Sequence, residues 1–537
     1  MRSAPLPEGQ PHWPPEAFPA DLGPATLRLR THVKDRIDAD GALRSPCHSR
    51  VLESALFLAL LDRTRRESAG RDRLAVYLAG HRDSVDPMDR LLARTALDRQ
   101  PNTAPAADME RFLAQAPDFT GPRKRALLQA VLLLLGSAVA TGLPDPEAFS
   151  HRGLHSWARV QVTAVKAVLA HAHGQPHLVD ERDLDLLRST QRAGTVWEGN
   201  LLIHLSVLHA LARLPGHDRL IAEGIRTALE HQRADGGMPF ICDEDTWVTA
   251  TAGVALHAAG APAPVLDAVA RRLLHLQHPD GSWSYTEHAR LADTDCTSVA
   301  AEVLHLTGPD SRRAPVHRAI GALHALKGED GGFPTYLAGA PSEASMTAAA
   351  ANALSTQGPT QRAAVDAALE FLAAQQHPDG SFPPDWSSSR HHTIFRATLA
   401  AAGHLDIPGS AGQRITHRAI RLVLHTQNAD GGWGRQDGDA SDALSTAYAL
   451  ITLTRQDAAG PAARGAAYLL TQQRPDGSIA SIPDSIGPRP VGFTVPALAD
   501  TFALLALGHL TRRLALAPPQ PGPLTPTRRA EETADHR

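Results

Sequence analysis

A short turn sequence recurs six times in this chain and constrains the fold more than any other feature. Each copy has a Gln or Lys, two variable residues, an Asp-Gly pair and, two residues after the Gly, a large apolar side chain. The aspartates are Asp235, Asp280, Asp330, Asp379, Asp430 and Asp476, which are 45 to 51 residues apart. A weaker seventh copy is Asp40-Gly41. A fixed period of this length is the signature of a repeat fold.

The segments between the turns have helical periodicity. Val299, Val303 and Leu306, for example, follow the i, i+4, i+7 spacing of one helix face. Because Asp-Gly favours a tight turn, each period predicts two helices joined by turns. About six such hairpins are enough to close a double-layered α/α-barrel. The chain is therefore predicted to be all-α, and the turn residues indicate fold, not function.

Length and composition narrow the remaining choices. A chain of 537 residues exceeds the usual size of one core, so two domains are expected. Residues 66–230 are helical by pattern, with 194–214 as one amphipathic helix, but lack the clear repeat, which predicts a second all-α domain.

The charge and the cysteines exclude some classes of function. The net charge of −4 argues against a nucleic-acid partner. Three cysteines without a C-x-x-C pair exclude a disulfide scaffold and a cysteine zinc site.

The two ends of the chain and one apolar segment indicate where in the cell the protein is expected. Residues 1–25 are rich in proline and residues 516–537 are polar, so both are predicted to be extended or solvated. No signal peptide is recognisable, which favours the cytoplasm. Residues 126–143 are apolar but diluted by polar side chains, and they predict a core helix and no membrane span. Peripheral contact with a membrane stays open.

The repeated Q-x-x-D-G-x-W turns resemble the QW motifs of the terpene cyclase and prenyltransferase superfamily. Class II cyclases of this superfamily have two α/α-barrel domains, called β and γ, with the active site between them. The resemblance implies that residues 26–65 and 275–515 form the β domain. It also implies that residues 66–274 form an inserted γ domain.

A second stretch resembles the acid motif of that family. The sequence Asp293-Thr-Asp295-Cys296-Thr297-Ser298 is similar to the D-x-D-D-T-[AS] motif of class II cyclases. Cys296 departs from it and matches the D-C-T-A-E motif of oxidosqualene cyclases. The resemblance implies that Asp295 is the proton donor, with Asp293, Cys296 and Thr297 around it. Cys296 is expected to give Asp295 a weak hydrogen bond.

The chemistry of alkene protonation demands such a group. A carboxyl buried against apolar walls keeps its proton near neutral pH, and a second carboxylate nearby raises its pKa further. A helix N-terminus acts in the opposite direction, because it stabilises the carboxylate left behind. The residue-based alternative is that the two aspartates only cap a helix.

A carbocation also needs an apolar pocket with aromatic faces. The candidates for that pocket are Trp247, Tyr285, Phe333, Tyr336, Trp386 and Phe395. A substrate diphosphate is expected to bring Mg²⁺, with Glu198, Asp243 and Asp245 as candidate ligands. The D-D-x-x-D motif of diphosphate-ionising synthases is absent from the sequence, so the diphosphate is expected to stay intact.

The expected function is protonation-initiated cyclisation of farnesyl or geranylgeranyl diphosphate to a drimane- or labdane-type bicyclic diphosphate. One enzyme alternative is a squalene-type or meroterpenoid cyclase. Others are a non-catalytic α/α-barrel binding protein and an α/α-barrel that acts on polysaccharide. A protein prenyltransferase β-like subunit fits poorly, because Asp295 and Cys296 are adjacent and its zinc motif is Asp-x-Cys. An enclosed apolar cavity holding Asp293 and Asp295 between two helical domains would favour the cyclase.

Overall fold

The computed structural model describes residues 13–66, 69–98, 121–137, 142–308, 310–489 and 491–514. In chain order, the α-helices of these residues are α1 (Leu22–Asp35), α2 (Val51–Arg63), α3 (Ala69–Ala79), α4 (Pro87–Asp98), α5 (Gly121–Leu134), α6 (Ser156–Ala172), α7 (Glu181–Ser189), α8 (Leu201–Leu211), α9 (Asp218–Leu229), α10 (Asp245–Ala258), α11 (Ala263–Leu276), α12 (Thr294–Thr307), α13 (Arg313–Leu326), α14 (Ala344–Ser355), α15 (Arg362–Gln375), α16 (His391–Ala400), α17 (Ala411–His425), α18 (Ala443–Leu453), α19 (Ala459–Thr471) and α20 (Leu498–Arg513).

The strands are two residues long and form two antiparallel pairs. The strand β1 (Ser49–Arg50) pairs with β2 (Met238–Pro239), and β3 (Ser485–Ile486) pairs with β4 (Gly492–Phe493). The prediction of an all-α protein is confirmed by this helix content.

Six helices form the inner ring of a closed barrel. In the order α10, α12, α14, α16, α18 and α20, each helix packs against the next, and α20 packs against α10. These inner helices are buried on nearly every side, which explains small side chains all around α14. The remaining helices of the barrel pack outside this ring, with α1 against α10, α19 and α20.

The outer helices are amphipathic, as a surface layer requires. In α13, for example, the buried side chains include Val316, Ala319 and Leu323, which lie on one face. The opposite face is exposed to solvent.

The recurring turns join neighbouring hairpins through backbone carbonyls. In the second copy, Gln277 Nε2 donates to the carbonyls of Gly281 in its own turn and of Pro315 in α13. The Asp280 carboxylate accepts the N–H of Ser282, and the Trp283 indole donates to Leu273 O. This turn therefore fastens one outer helix to the next.

The last turn closes the barrel. Gln473 Nε2 donates to Gly477 O within its turn and to Ala25 O in α1, near the other end of the chain. The helix α1 thereby takes the final outer position.

The second domain comprises α2 to α9. Here α2 packs against α3, α4, α5 and α8, and α6 packs against α5, α7 and α8. The predicted boundaries differ from this packing, since residues 26–65 were expected in the barrel and 66–274 outside it. The helix α2 belongs to the second domain, because its buried surface faces α4 and α8. The helices α10 and α11 belong to the barrel, because α10 closes the ring between α12 and α20.

The N-terminal expectation is wrong for the residues that the structure describes. Trp13 and Phe18 are buried and stack on each other, and α1 begins at Leu22. Residues 1–12 and the predicted tail 516–537 lie outside the described residues. Among those described, none of the helices has the length and apolarity that a membrane crossing requires.

Candidate active site

A cavity of about 560 Å³ lies between the two domains. Its wall combines Leu127, Trp157 and Val162 of the second domain with Asp295 and Trp386 of the barrel. The volume falls within the usual range of small-molecule sites. Asp293 and Asp295 therefore both line a mostly apolar cavity between two helical domains.

Asp293 forms the N-cap of α12 and faces this cavity. Its Oδ1 accepts the N–H of Cys296 at 2.7 Å. Burial raises the pKa of Asp293 to about 7, and the nearby Asp295 also raises it. The N–H and the thiol of Cys296 act against this rise, but they do not cancel it. Asp293 is therefore both a helix cap and a carboxyl that holds its proton close to neutral pH.

Asp295 lies in the first turn of α12 and meets a buried arginine. Arg396 Nη1, from α16, donates to Asp295 Oδ1 at 2.7 Å. The Arg396 side chain is only 1% exposed, whereas that of Asp295 is 15% exposed and lines the cavity. The Oδ2 atom accepts no hydrogen bond from the described residues. One oxygen is thus held and the other is left for the cavity.

A third carboxyl lies close to Asp293 and Asp295. Glu244 precedes α10 and lines the wall beside Asp293 and Asp295. Burial raises the pKa of Glu244 to about 8, and Asp293 and Asp295 add to the rise. We call these three residues the acid cluster.

Cys296 and Thr297 have roles that differ from the expectation. The Cys296 thiol forms its hydrogen bond with Asp293 and not with Asp295, and burial together with the charges of both aspartates raises the pKa of the thiol. The Thr297 hydroxyl accepts the N–H of Trp283 at 3.1 Å. Thr297 therefore joins α12 to the preceding turn and does not line the cavity.

Four of the six predicted aromatic residues line the cavity, namely Trp247, Tyr285, Tyr336 and Trp386. The other two do not, and this corrects the sequence interpretation. Phe333 is fully buried at the apolar position of its turn. Phe395 stacks on Tyr448 at 5.0 Å inside the barrel.

Trp157 was not among the predicted aromatic residues, although it lies at the cavity wall. Its ring is 5.2 Å from that of Tyr285 and 5.7 Å from that of Tyr336. Trp157 is the second residue of α6 and follows an irregular segment, so it belongs to no repeat or motif that the sequence shows.

The predicted metal ligands have other partners. Glu198 Oε2 accepts the Trp157 indole N–H at 3.1 Å and the backbone N–H groups of Arg290 and Leu291. Asp243 Oδ1 accepts the Thr286 hydroxyl at 2.6 Å, and Asp245 Oδ1 accepts the N–H of Ser45.

N–H and hydroxyl donors occupy one oxygen of each of these three carboxylates, and their role as Mg²⁺ ligands stays a prediction. Across the described part of the chain, no group of three or more His, Cys, Asp and Glu is arranged to hold a metal ion.

The cavity also has a cationic side that the sequence did not reveal. Arg123 and Lys124, at the start of α5, line it together with Arg489. Burial and the neighbouring arginines lower the pKa of Lys124 to about 7. Arg489 pairs with Glu343 at 2.9 Å, whereas Arg123 and Lys124 make no ion pair within the described residues. Arginine is common throughout the chain, so the sequence does not single out these cations. Arg123 and Lys124 are adjacent in sequence, and the fold brings Arg489 to the same cavity wall.

Tyr336 lines the same cavity as these carboxyls and cations. Burial raises the pKa of Tyr336 far above its ordinary value. The nearby carboxylates of Asp293 and Glu343 add to the rise, and Arg489 opposes it. The cavity wall therefore combines the acid cluster, aromatic side chains and the cations Arg123, Lys124 and Arg489.

Comparison with known protein families supports the fold assignment. The model described as squalene-hopene cyclase C-terminal domain matches residues 337–511. The model described as prenyltransferase alpha-alpha toroid domain matches residues 201–383. Together the two matches span most of the barrel and the end of the second domain.

Two curated relatives align with nearly the whole chain. The drimenyl diphosphate synthase of Streptantibioticus cattleyicolor is 41% identical over 515 residues, which cover 91% of this chain and 96% of that protein. The drimenyl diphosphate synthase of Streptomyces showdoensis is 39% identical over 515 residues, covering 91% of this chain and 95% of that protein. Among solved structures, ent-copalyl diphosphate synthase from Streptomyces platensis matches with a TM-score of 0.60 at 19% identity. That match covers 91% of this chain and 99% of the other, and it shows a shared fold.

Proposed function

Since the chain belongs to the class II terpene cyclases, we propose that it converts farnesyl diphosphate to a drimane-type bicyclic diphosphate. The single observation that carries this proposal is that the acid cluster and the cations Arg123, Lys124 and Arg489 line one cavity. The relatives that align over nearly the full chain are drimenyl diphosphate synthases. The aligned part of the copalyl diphosphate synthase of Streptomyces cyslabdanicus covers 32% of this chain.

The acid cluster starts the reaction in this proposal. The terminal alkene of the prenyl chain lies against Asp295, which donates a proton from Oδ2 to one alkene carbon. The Arg396 guanidinium and the N-terminus of α12 stabilise the carboxylate that remains. Asp293 and Glu244 keep their own protons near neutral pH, so they add little negative charge that would oppose this loss.

The aromatic side chains of the wall guide the carbocations that follow. Tyr285, Tyr336, Trp157 and Trp386 line the mostly apolar cavity, and π faces stabilise positive charge. The chain folds so that successive double bonds attack the cationic carbons, and two rings close. Loss of a proton from the last cation restores an alkene, so the overall reaction is an isomerisation.

The cations of the cavity hold the diphosphate. Among the described residues Arg123 and Lys124 make no ion pair, and Arg489 lies over the Trp386 ring. A phosphate group offers the negative oxygens that such donors bind. Squalene carries no charge and offers these cations no partner, so the site favours a diphosphate substrate.

Magnesium is proposed to accompany the diphosphate, bound to its oxygens and to water. It would neutralise part of the substrate charge. Glu198, Asp243 and Asp245 are committed to other donors, and no step here depends on them as ligands.

The test is incubation of purified protein with farnesyl diphosphate, geranylgeranyl diphosphate or squalene, followed by product analysis. We expect a bicyclic diphosphate from the first substrate. Asp295→Asn should lower its formation by at least about 10³-fold without unfolding the protein, because the amide has no proton to donate.

The matched control is Asp310→Asn, which changes an exposed aspartate on the outside of the barrel. It should leave the rate unchanged. Full activity of Asp295→Asn would overturn the acid assignment, and exclusive conversion of geranylgeranyl diphosphate would overturn the fifteen-carbon substrate.

A further inference from the structure

His155 is a cavity residue that neither the helix nor any polar neighbour uses. It is the N-cap residue of α6, but its side chain makes no capping hydrogen bond. The imidazole lines the cavity, and its Nδ1 is buried without a hydrogen-bond partner. Within the described residues the ring has only aromatic contacts, at 4.6 Å to Tyr336 and 6.2 Å to Trp157. Within the described residues, the imidazole of His155 therefore has no hydrogen-bonding role in the fold.

His155 packs against Tyr336 and lies close to the cations Arg123 and Lys124 of the cavity wall. A prenyl diphosphate that spans the cavity would place its terminal alkene at the acid cluster and its diphosphate at the cations. The carbons of the second ring to close would then pass His155.

The surrounding charges keep His155 neutral. Burial lowers its pKa to about 4, and the cations Arg123, Lys124 and Arg159 contribute to the decrease. Its imidazole therefore retains a free lone pair at neutral pH. A tertiary carbocation is a far stronger acid than an imidazolium ion, so even a base this weak removes a proton from it.

Other groups along the wall are less suited to that task. The Glu343 carboxylate is engaged by Arg489 and by the Thr335 hydroxyl. The Asn200 side-chain oxygen accepts the N–H of Ile203. The acid cluster lies at the end where the reaction begins.

We propose that His155 is the base that ends the cyclisation. A C–H bond next to the final cationic carbon breaks, its electron pair forms the product alkene, and the proton passes to one imidazole nitrogen. The imidazolium then releases this proton to solvent, while Asp295 regains one, so the reaction balances as an isomerisation. This proposal rests on the proposed function, because it requires a bicyclic cation in the cavity.

The test is the product distribution of His155→Gln and His155→Phe with farnesyl diphosphate. Protonation by Asp295 precedes the step, so substrate consumption should stay within about threefold of the wild type. The products should change, because the longer-lived cation is captured by water or loses a different proton. Hydroxylated bicyclic diphosphates or isomeric alkenes should replace the wild-type alkene as the main products.

The product ratio is counted per molecule of product formed, so partial unfolding of a variant lowers the amount but not the ratio. His155→Asn, a smaller change, is measured in the same way. The matched control is His171→Gln, an exposed residue near the end of the same helix, which should give the wild-type product.

Wild-type product in unchanged proportion from all three variants would overturn the proposal and point to another base, such as the substrate diphosphate. Failure of the wild-type enzyme to form any bicyclic product would instead overturn the proposed function. The two failures are therefore distinguishable.

Discussion

At the scale of single residues, the acid cluster combines three carboxyls with one buried cation. Arg396 contacts Asp295 alone among the three, whereas Asp293 and Glu244 have pKa values raised to about 7 and 8. A neighbouring guanidinium stabilises a carboxylate by its charge and its hydrogen bond. Arg396 should therefore stabilise the carboxylate that remains after Asp295 has donated its proton.

Replacement of Arg396 by Gln tests this stabilisation. The rate should fall about 10-fold, since the carboxylate left behind loses its partner. The measurement is kcat with farnesyl diphosphate at one fixed pH.

Arg271→Gln, at an exposed position of α11, is the control and should leave the rate unchanged. An unchanged rate for Arg396→Gln would contradict the role assigned to the guanidinium. Thermal unfolding of each variant separates a lower rate from a loss of folded protein.

At the scale of elements, the turns that predicted the fold also hold its helices at close contact. Gly281 has a φ of +94°, and a Cβ there would lie 2.5 Å from the carbonyl carbon and oxygen of Arg318 in α13. The Asp-Gly pair therefore serves two purposes, a left-handed turn and the close approach of a backbone. Both requirements are visible in the sequence only because the pair repeats.

Gly281→Ala should destabilise the protein by roughly 2–4 kcal/mol, because both the positive φ and the backbone contact penalise a methyl group. The free energy of unfolding, measured with denaturant, checks this value. The control is Gly321→Ala in α13, where no atom lies within 4 Å of the added carbon. There the change should stabilise the protein by about 0.5–1 kcal/mol. Equal effects of the two variants would contradict the role assigned to the turn.

Helix periodicity was less informative outside the repeats. The sequence predicted one helix over 194–214, but α8 begins only at Leu201. Glu198 and Gly199 have φ values of 55° and 65°, which a helix excludes. The apolar pattern continues through this segment because it packs against the barrel, while the Glu198 carboxylate accepts hydrogen bonds from Arg290 and Leu291. Long-range contacts of this kind leave no mark on local periodicity.

At the scale of the whole molecule, the site depends on contacts between distant parts of the chain. The acid motif was found from sequence because its residues are contiguous. Arg396 lies 101 residues from Asp295, and His155 and Lys124 belong to the other domain. These residues carry no motif, so only the packing of the second domain on the barrel unites them. The domain boundaries were missed for the same reason, since α10 shows its place in the ring only through its contacts with α20.

Because both domains line the cavity, a bound substrate should stabilise both. Asp295→Asn is expected to bind farnesyl diphosphate without converting it, so hydrogen exchange can be followed in a stable complex. At 100 times the dissociation constant, binding stabilises the native state by about 2.7 kcal/mol. We expect slower exchange at the start of α5 and α6, near Lys124 and His155, as well as at the start of α12 around Asp293.

The double variant Asp295→Asn, Lys124→Gln distinguishes binding of the diphosphate by the cations from binding of the prenyl chain by the rest of the cavity. It should need a higher concentration of farnesyl diphosphate for the same protection, because one phosphate contact is lost, whereas the affinity for uncharged farnesol should not change. Protection confined to the barrel would show that the second domain does not hold the diphosphate. In that event the cations at the start of α5 would have to serve another purpose than substrate binding.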